Sequence, residues 1–259
     1  MASLVPAATD LLIGMGAGDH LVAISNYDVD RPETRGLPRV GDYQSFDWEQ
    51  ISAARPDVMM VFMSPERVPE GLRQRAEQLK IRLLNVRTER LEEIYEAMAK
   101  LGEVVGEREK AAAAQRELRA QVEAVRQKVA GRVKVRTLIV REKNADGVVG
   151  RGTFLNDILE IAGGENVIQA EGWVNIDREM LLSLKPEVIL ELLPEASPQV
   201  VEEAKRFWDG LQEVPAVRDG RVYVMTEWYG QQPGSHVGEL AGKFAEVLGG
   251  PQMNADERR

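Results

Sequence analysis

Two stretches of this chain, offset by 130 residues, carry nearly the same sequence, and that repeat limits the possible folds more than any other feature. The segment Asp42–Val58 aligns without gaps on Gly172–Val188. Each copy has an aromatic (Tyr43, Trp173), then four residues on an aspartate (Asp47, Asp177), then an apolar helical stripe. Each ends on a basic-proline-acidic triplet, Arg55-Pro56-Asp57 or Lys185-Pro186-Glu187, followed by a β-run. A looser echo pairs the stretch from Thr9-Asp10-Leu11-Leu12 to Asp19 with that from Asn156-Asp157-Ile158-Leu159 to Asn166. A repeat of this length exceeds a solenoid unit. It predicts two similar lobes facing a cleft, with Tyr43 and Trp173 on opposite walls.

The first copy alternates strands and helices. Strands are expected over Ala2–Val5, Leu21–Ser25, Val58–Phe62 and Arg82–Val86, and helices over Ala7–Met15, Phe46–Ala54 and Pro69–Leu79. Asp47 is a suitable N-cap, and Pro56 stops its helix. The second copy repeats the alternation, with strands Val135–Val140, Val188–Leu192 and Val222–Met225. Its expected helices are Phe154–Ala162, Arg178–Leu184, Pro198–Gln212 and His236–Leu248. Such alternation predicts parallel α/β lobes of Rossmann-like type. Between the copies, Glu92–Val105 reads as helix, and Glu107–Ala130 carries apolar residues at 111, 114, 118, 122, 125 and 129. Those spacings mark one face of a single long helix, about 36 Å at roughly 1.5 Å per residue. The expected organisation is an α/β lobe over 1–104, a joining helix over 105–131, a second α/β lobe over 132–250 and a disordered polar tail over 251–259.

Chemistry is narrowed mainly by what is scarce. A net charge of −9 argues against nucleic acid or an anionic membrane as the main partner. With no cysteine, disulfides and thiolate chemistry are excluded. Only His20 and His236 offer imidazole, so no dedicated metal site is expected. His20 reads as structural or solvent-exposed. Gly14-Met15-Gly16-Ala17-Gly18 ends a helix instead of opening one, the wrong polarity for a phosphate cradle. No catalytic residues are expected. The first residues lack the basic segment and apolar stretch of an export signal, leaving a trimmed export signal or a cytoplasmic protein as open readings.

Aromatic residues make up only 5% of the chain but gather in loops after strands: Tyr27, Tyr43, Trp173, Trp228 and Tyr229. Ligands of open α/β sheets bind outside the carboxyl ends of strands, and rigid rings there offer apolar contact at small entropic cost. Any one ring could instead cap its own lobe's core. Trp48 and Trp208 sit on helical stripes and read as packing residues, while Phe154 fits either role.

Several motifs together resemble one family. They are Ser3-Leu4-Val5-Pro6-Ala7-Ala8-Thr9-Asp10, Gly16-Ala17-Gly18-Asp19, Leu37-Pro38-Arg39-Val40-Gly41-Asp42-Tyr43, Arg55-Pro56-Asp57-Val58, Ala162-Gly163-Gly164-Glu165-Asn166 and Asp219-Gly220-Arg221-Val222-Tyr223. Over nearly the whole chain, the sequence resembles the class III (helical-backbone) substrate-binding proteins of ABC importers for vitamin B12, siderophores and haem. Within that group it is most similar to the cobalamin-binding branch. The resemblance implies a monomeric, periplasmic or extracytoplasmic protein that is no enzyme, has no intrinsic cofactor and hands cobalamin or a related corrinoid to an ABC importer permease. It implies ligand contacts from Tyr27, Tyr43, Trp173, Glu227, Trp228 and Tyr229, with Gln44, Ser45, Arg151 and Thr153 as polar partners. Haem or a ferric siderophore, with Tyr27 or Tyr43 on iron, is the alternative ligand. A cytoplasmic corrinoid-handling protein is the alternative role. The family docks through one surface carboxylate per lobe. Glu66 matches the first, whereas the second is expected after Trp228-Tyr229, where this chain has Gly230-Gln231-Gln232. His236 stands where an arginine is common.

Overall fold

A computed structural model describes residues 1–63, 69–142, 145 and 147–250. The tail expected to be disordered, 251–259, lies outside them. The described chain forms two compact units, Met1–Thr88 with Glu92–Glu117, and Glu89–Leu91 with Leu118 onward.

The first unit holds β1 (Ala2–Ser3), α1 (Pro6–Gly14), α2 (Trp48–Ala54), β2 (Val58–Val61), α3 (Glu70–Gln78), β3 (Arg82–Asn85) and α4 (Leu91–Val105). Its strands pair in parallel in the order β1-β2-β3. The register runs Ala2↔Met59 on one side of β2 and Met59↔Leu83 on the other. All four residues of β2 are buried, as expected of a parallel strand covered on both faces. Met59 and Val61 pack with Leu4, Ile51, Leu72 and Ile81 to make the core. Each such side chain withdrawn from water contributes roughly 1.5–3 kcal/mol. The expected strand Leu21–Ser25 is replaced by single bridges, Ala23 to Ala2 and Ile24 to Arg39. The chain turns directly afterwards, where the buried Asp28 carboxylate accepts the Ser25 N–H, so no ladder extends.

The helix α5 (Arg108–Val129) runs for 22 residues, about 33 Å at roughly 1.5 Å per residue. Ala111, Leu118, Val122, Val125 and Val129 are buried along its apolar stripe, and the division between the two units falls within it, after Glu117.

The second unit contains β4 (Val135–Val140), β5 (Gly147–Val149), α6 (Phe154–Ile161), β6 (Gly164–Asn166), β7 (Trp173–Asn175), α7 (Arg178–Leu184) and β8 (Val188–Leu192). It closes with α8 (Pro198–Asp209), α9 (Pro215–Arg218), β9 (Val222–Met225) and α10 (Val237–Gly249). Its sheet runs β7-β5-β4-β8-β9, with β6 also on β4. The β4–β8 and β8–β9 pairs are parallel, while β5 is antiparallel to both β4 and β7. Trp208, fully buried in this core, donates its indole N–H to the buried Glu191 carboxylate at 2.6 Å. Phe154 is buried as well and serves packing.

The repeat survives as geometry. Asp47 caps α2 by accepting the Gln50 N–H, and Asp177 caps α7 by accepting the Met180 N–H. Arg55 ends α2 with φ 48°, and Lys185 ends α7 with φ 47°. Both are left-handed conformations that cost a non-glycine residue energy. The looser echo diverges: Gly18–His20 is one turn of 3-10 helix, while Gly164–Asn166 is a strand.

Candidate functional site

In the first unit the aromatic residues are mounted on two tied loops. Tyr27 and Tyr43 are 60% and 57% exposed, and their rings stack with centroids 6.1 Å apart and planes 29° apart. The loop beneath Tyr27 is gathered by Arg39, whose Nη1 donates to the carbonyls of Ser25, Asn26 and Asp28 at 2.8, 3.1 and 2.8 Å. Under the same loop, the buried Asp28 carboxylate accepts from the Ser25 N–H and the Thr9 hydroxyl. Burial pushes its carboxyl up to about 6 despite those bonds and the nearby Arg31 and Arg39 charges. Arg31 pairs with the buried Asp10 of α1 at 2.7 Å, a second tie between that helix and the loop.

The Tyr43 loop turns on Gly41, at φ 118°, where a Cβ would stand 2.2 Å from the Ser45 carbonyl oxygen. Any side chain would open the turn. Asp42 then accepts the N–H groups of Gln44 and Ser45 at 2.8 and 2.9 Å and the Ser45 hydroxyl at 3.2 Å. These bonds, the Gln44 amide first, hold its carboxyl below the usual carboxylate range. Of the two polar candidates, Ser45 is therefore engaged within its loop, while the exposed Gln44 side chain makes no hydrogen bond among the described residues.

In the second unit Trp173 lies on a strand, not in the loop that the sequence suggests. It opens β7, stays 50% exposed, and pairs with Val149 of β5. The close approach of the two backbones depends on Gly150, where a Cβ would sit 2.3 Å from the Ala170 carbonyl oxygen. Arg151 follows, exposed, with its carbonyl accepting the Gly172 N–H at 2.8 Å. The guanidinium carbon of Arg141, at the end of β4, lies 4.3 Å from the Trp173 ring centroid. Gln231 donates to the carbonyls of Arg141 and Leu192 at 2.9 and 2.7 Å.

Thr153 sits apart from this surface in its chemistry. It is buried, its hydroxyl donates to the Gly150 carbonyl at 3.0 Å, and its oxygen caps α6 by accepting the Asn156 N–H at 3.2 Å. Its hydroxyl is spent on backbone geometry.

Trp228 and Tyr229 form a further cluster after β9. Tyr229 stacks on His236 with centroids 5.0 Å apart, and Trp228 meets both edge-on at 5.5 and 4.8 Å. Tyr229 is largely buried, and that burial pushes its phenol above the ordinary range. Glu227 pairs with Lys243 at 2.5 Å. Burial alone would raise its carboxyl, but the lysine outweighs it and holds the group below its ordinary value. His20 lies 3.8 Å from Glu107.

The structure thus brings together Tyr27 with Tyr43 and Trp228 with Tyr229, while sequence reasoning missed Arg39, Arg141 and Gln231. Arg39 and Gln231 stand within or beside quoted motifs, so a signal was present; Arg141 had only its place at a strand end. Glu66, the expected docking residue, lies outside the described residues.

Comparison with known proteins gives a consistent result. Residues 1–229 match the family model described as periplasmic binding protein. The chain is 26% identical over 219 residues to a vitamin B12-binding protein of Salmonella paratyphi A, covering 83% of this chain and 79% of that one. Among solved structures, it is similar to the periplasmic vitamin B12 binding protein of Vibrio cholerae, with TM-score 0.78, 22% identity and 95% of both chains covered. It is equally similar to a periplasmic heme binding protein from Pseudomonas aeruginosa, with TM-score 0.82, 21% identity, and 98% of this chain and 95% of that one covered.

Proposed function

The chain belongs to the periplasmic binding protein family, and on that premise we propose that it captures a corrinoid of the cobalamin class and delivers it to an ABC importer. The observation that carries the reading is the pair of exposed aromatic platforms, Tyr27 on Tyr43 in one unit and Trp173 under Arg141 in the other. Tyr43 and Trp173 are the aromatics at equivalent positions of the repeat. A corrin is a broad, partly apolar disc edged with amides, and exposed rings beside Gln44 and Arg151 suit its faces and its rim. The joining helix expected over 105–131 corresponds to α5 (Arg108–Val129), within which the division between the units falls. The resemblance to vitamin B12-binding proteins supports the same ligand. Equilibrium titration with cyanocobalamin tests it: saturable one-to-one binding in the micromolar range or tighter is expected, and no binding at tens of micromolar overturns it.

A second reading is favoured by the exposed phenols of Tyr27 and Tyr43 and by the similarity to a heme binding protein. In it the ligand is haem or a ferric siderophore, with one phenol oxygen on iron. A Soret or charge-transfer band that vanishes in Tyr27→Phe or Tyr43→Phe would establish this alternative.

For docking we assign Glu66 and, in the second copy, Glu195. Pro65-Glu66 follows β2 as Pro194-Glu195 follows β8. Glu195 is exposed at φ 57°, and its N–H is held by the Thr226 carbonyl at 3.0 Å. Glu195→Arg should abolish stimulation of the importer's ATPase while leaving ligand affinity within about twofold. Unchanged stimulation would remove Glu195 from the interface.

A further inference from the structure

Arg141 stands over Trp173 with its guanidinium met by a neutral side chain among the described residues. Its Nε and Nη2 both face one neutral acceptor, the Gln231 side-chain oxygen, at 3.4 and 3.5 Å. These are long contacts, since charge-assisted bonds normally close to about 2.7–2.9 Å. The Gln231 amide is not free to rotate away, because its nitrogen is fixed between the Arg141 and Leu192 carbonyls. No carboxylate among the described residues pairs with Arg141, whereas Arg31 and Arg39 each have one. The guanidinium carries five N–H donors in a rigid fork, and those on Nη1 make no bond among the described residues. Arg151, exposed and likewise without an ion pair among the described residues, joins the same surface through its backbone bond to Gly172. Two cations thus stand beside a half-exposed indole.

We infer that Arg141, held in place by Gln231, and Trp173 form a selectivity element for an oxyanion borne on a flat apolar ligand. The ligand's ring packs against the indole, and its carboxylate or phosphate takes the open edge of the guanidinium. A charged hydrogen bond of this kind is worth about 1.5–3 kcal/mol, or roughly tenfold or more in affinity over a neutral amide of the same shape. This rests on the reading of the chain as a small-molecule binder and adds a charge requirement to it.

The probes are naphthalene-2-carboxylate, 2-naphthyl phosphate and uncharged naphthalene-2-carboxamide, titrated into the full chain. Binding is read from the Trp173 indole N–H signal, assigned with Trp173→Phe. The wild type should bind at least one acid roughly tenfold tighter than the amide. Arg141→Gln should abolish that preference without weakening the amide, and Arg141→Lys should retain part of it. The stronger acid identifies the anion as carboxylate or phosphate. Equal affinity for all three probes in the wild type, or a preference that survives Arg141→Gln, overturns the inference. Cobalamin titration is scored separately, so loss of the corrinoid reading leaves this result standing and the converse also holds.

Discussion

The ring of Tyr27 stacks on that of Tyr43 with centroids 6.1 Å apart, although the two residues belong to different loops. Their stacking contributes about 0.5–1.5 kcal/mol at most. The larger ordering comes from below, where Arg39 holds three carbonyls of one loop and Asp42 three donors of the other.

Arg39→Met should therefore release the Tyr27 loop. Its hydrogen bonds to carbonyls are charge-assisted and partly buried, so a loss of about 2 kcal/mol is expected. The exposed pairing with Asp30 adds little. The measurement is chemical denaturation together with the Tyr27 and Tyr43 ring signals by NMR. Unchanged stability and sharp, unshifted rings would show that the loop is held by other means.

Asp28 makes stability depend on pH. Its folded value of about 6 lies above the ordinary 3.8, so the folded chain binds the proton more tightly than the unfolded chain. Stability should then rise as pH falls from 7 through about 4, by on the order of 2 kcal/mol, and Asp28→Asn should flatten that slope. A carboxyl carbon titrating near 4, or an Asp28→Asn slope equal to wild type, would contradict it.

Thr153→Ala separates capping from ligand contact. Loss of the α6 cap should cost about 0.5–2 kcal/mol of stability and leave ligand affinity unchanged once folding is accounted for. A large affinity loss in a fully folded variant would restore Thr153 to the ligand surface.

Arg55→Gly and Lys185→Gly should each stabilise the protein by about 1 kcal/mol. Glycine relieves the left-handed strain at φ 48° and 47°, and neither position lies within a helix. Thermal unfolding of the two single variants and the double variant checks this. A destabilised single variant would mean that the side chain makes compensating contacts.

The repeat was legible because caps and stops are local: Asp47, Pro56, Asp177 and Pro186 each act within a few residues of their own position. Buried runs such as Val58–Val61 and Val188–Leu192 were legible for the same reason. The strands β5, β6 and β7 were not, since each has three residues and a glycine or polar residue among them, too short for any periodicity. Trp173 was accordingly read as a loop residue. Arg39, Arg141 and Gln231 escaped because their bonds reach residues up to 90 positions away. His236 gave no local sign that it would stack on Tyr229.

Gln231 occupies the stretch where the family pattern led us to expect an acidic residue, and its bonds show a different use for that position. Its amide nitrogen donates to two carbonyls, one following β4 and the other closing β8. A glutamate there would set a carboxylate against both oxygens, with no donor to offer either. A charge introduced at this position would therefore come with the loss of both bonds that tie the stretch to β4 and β8.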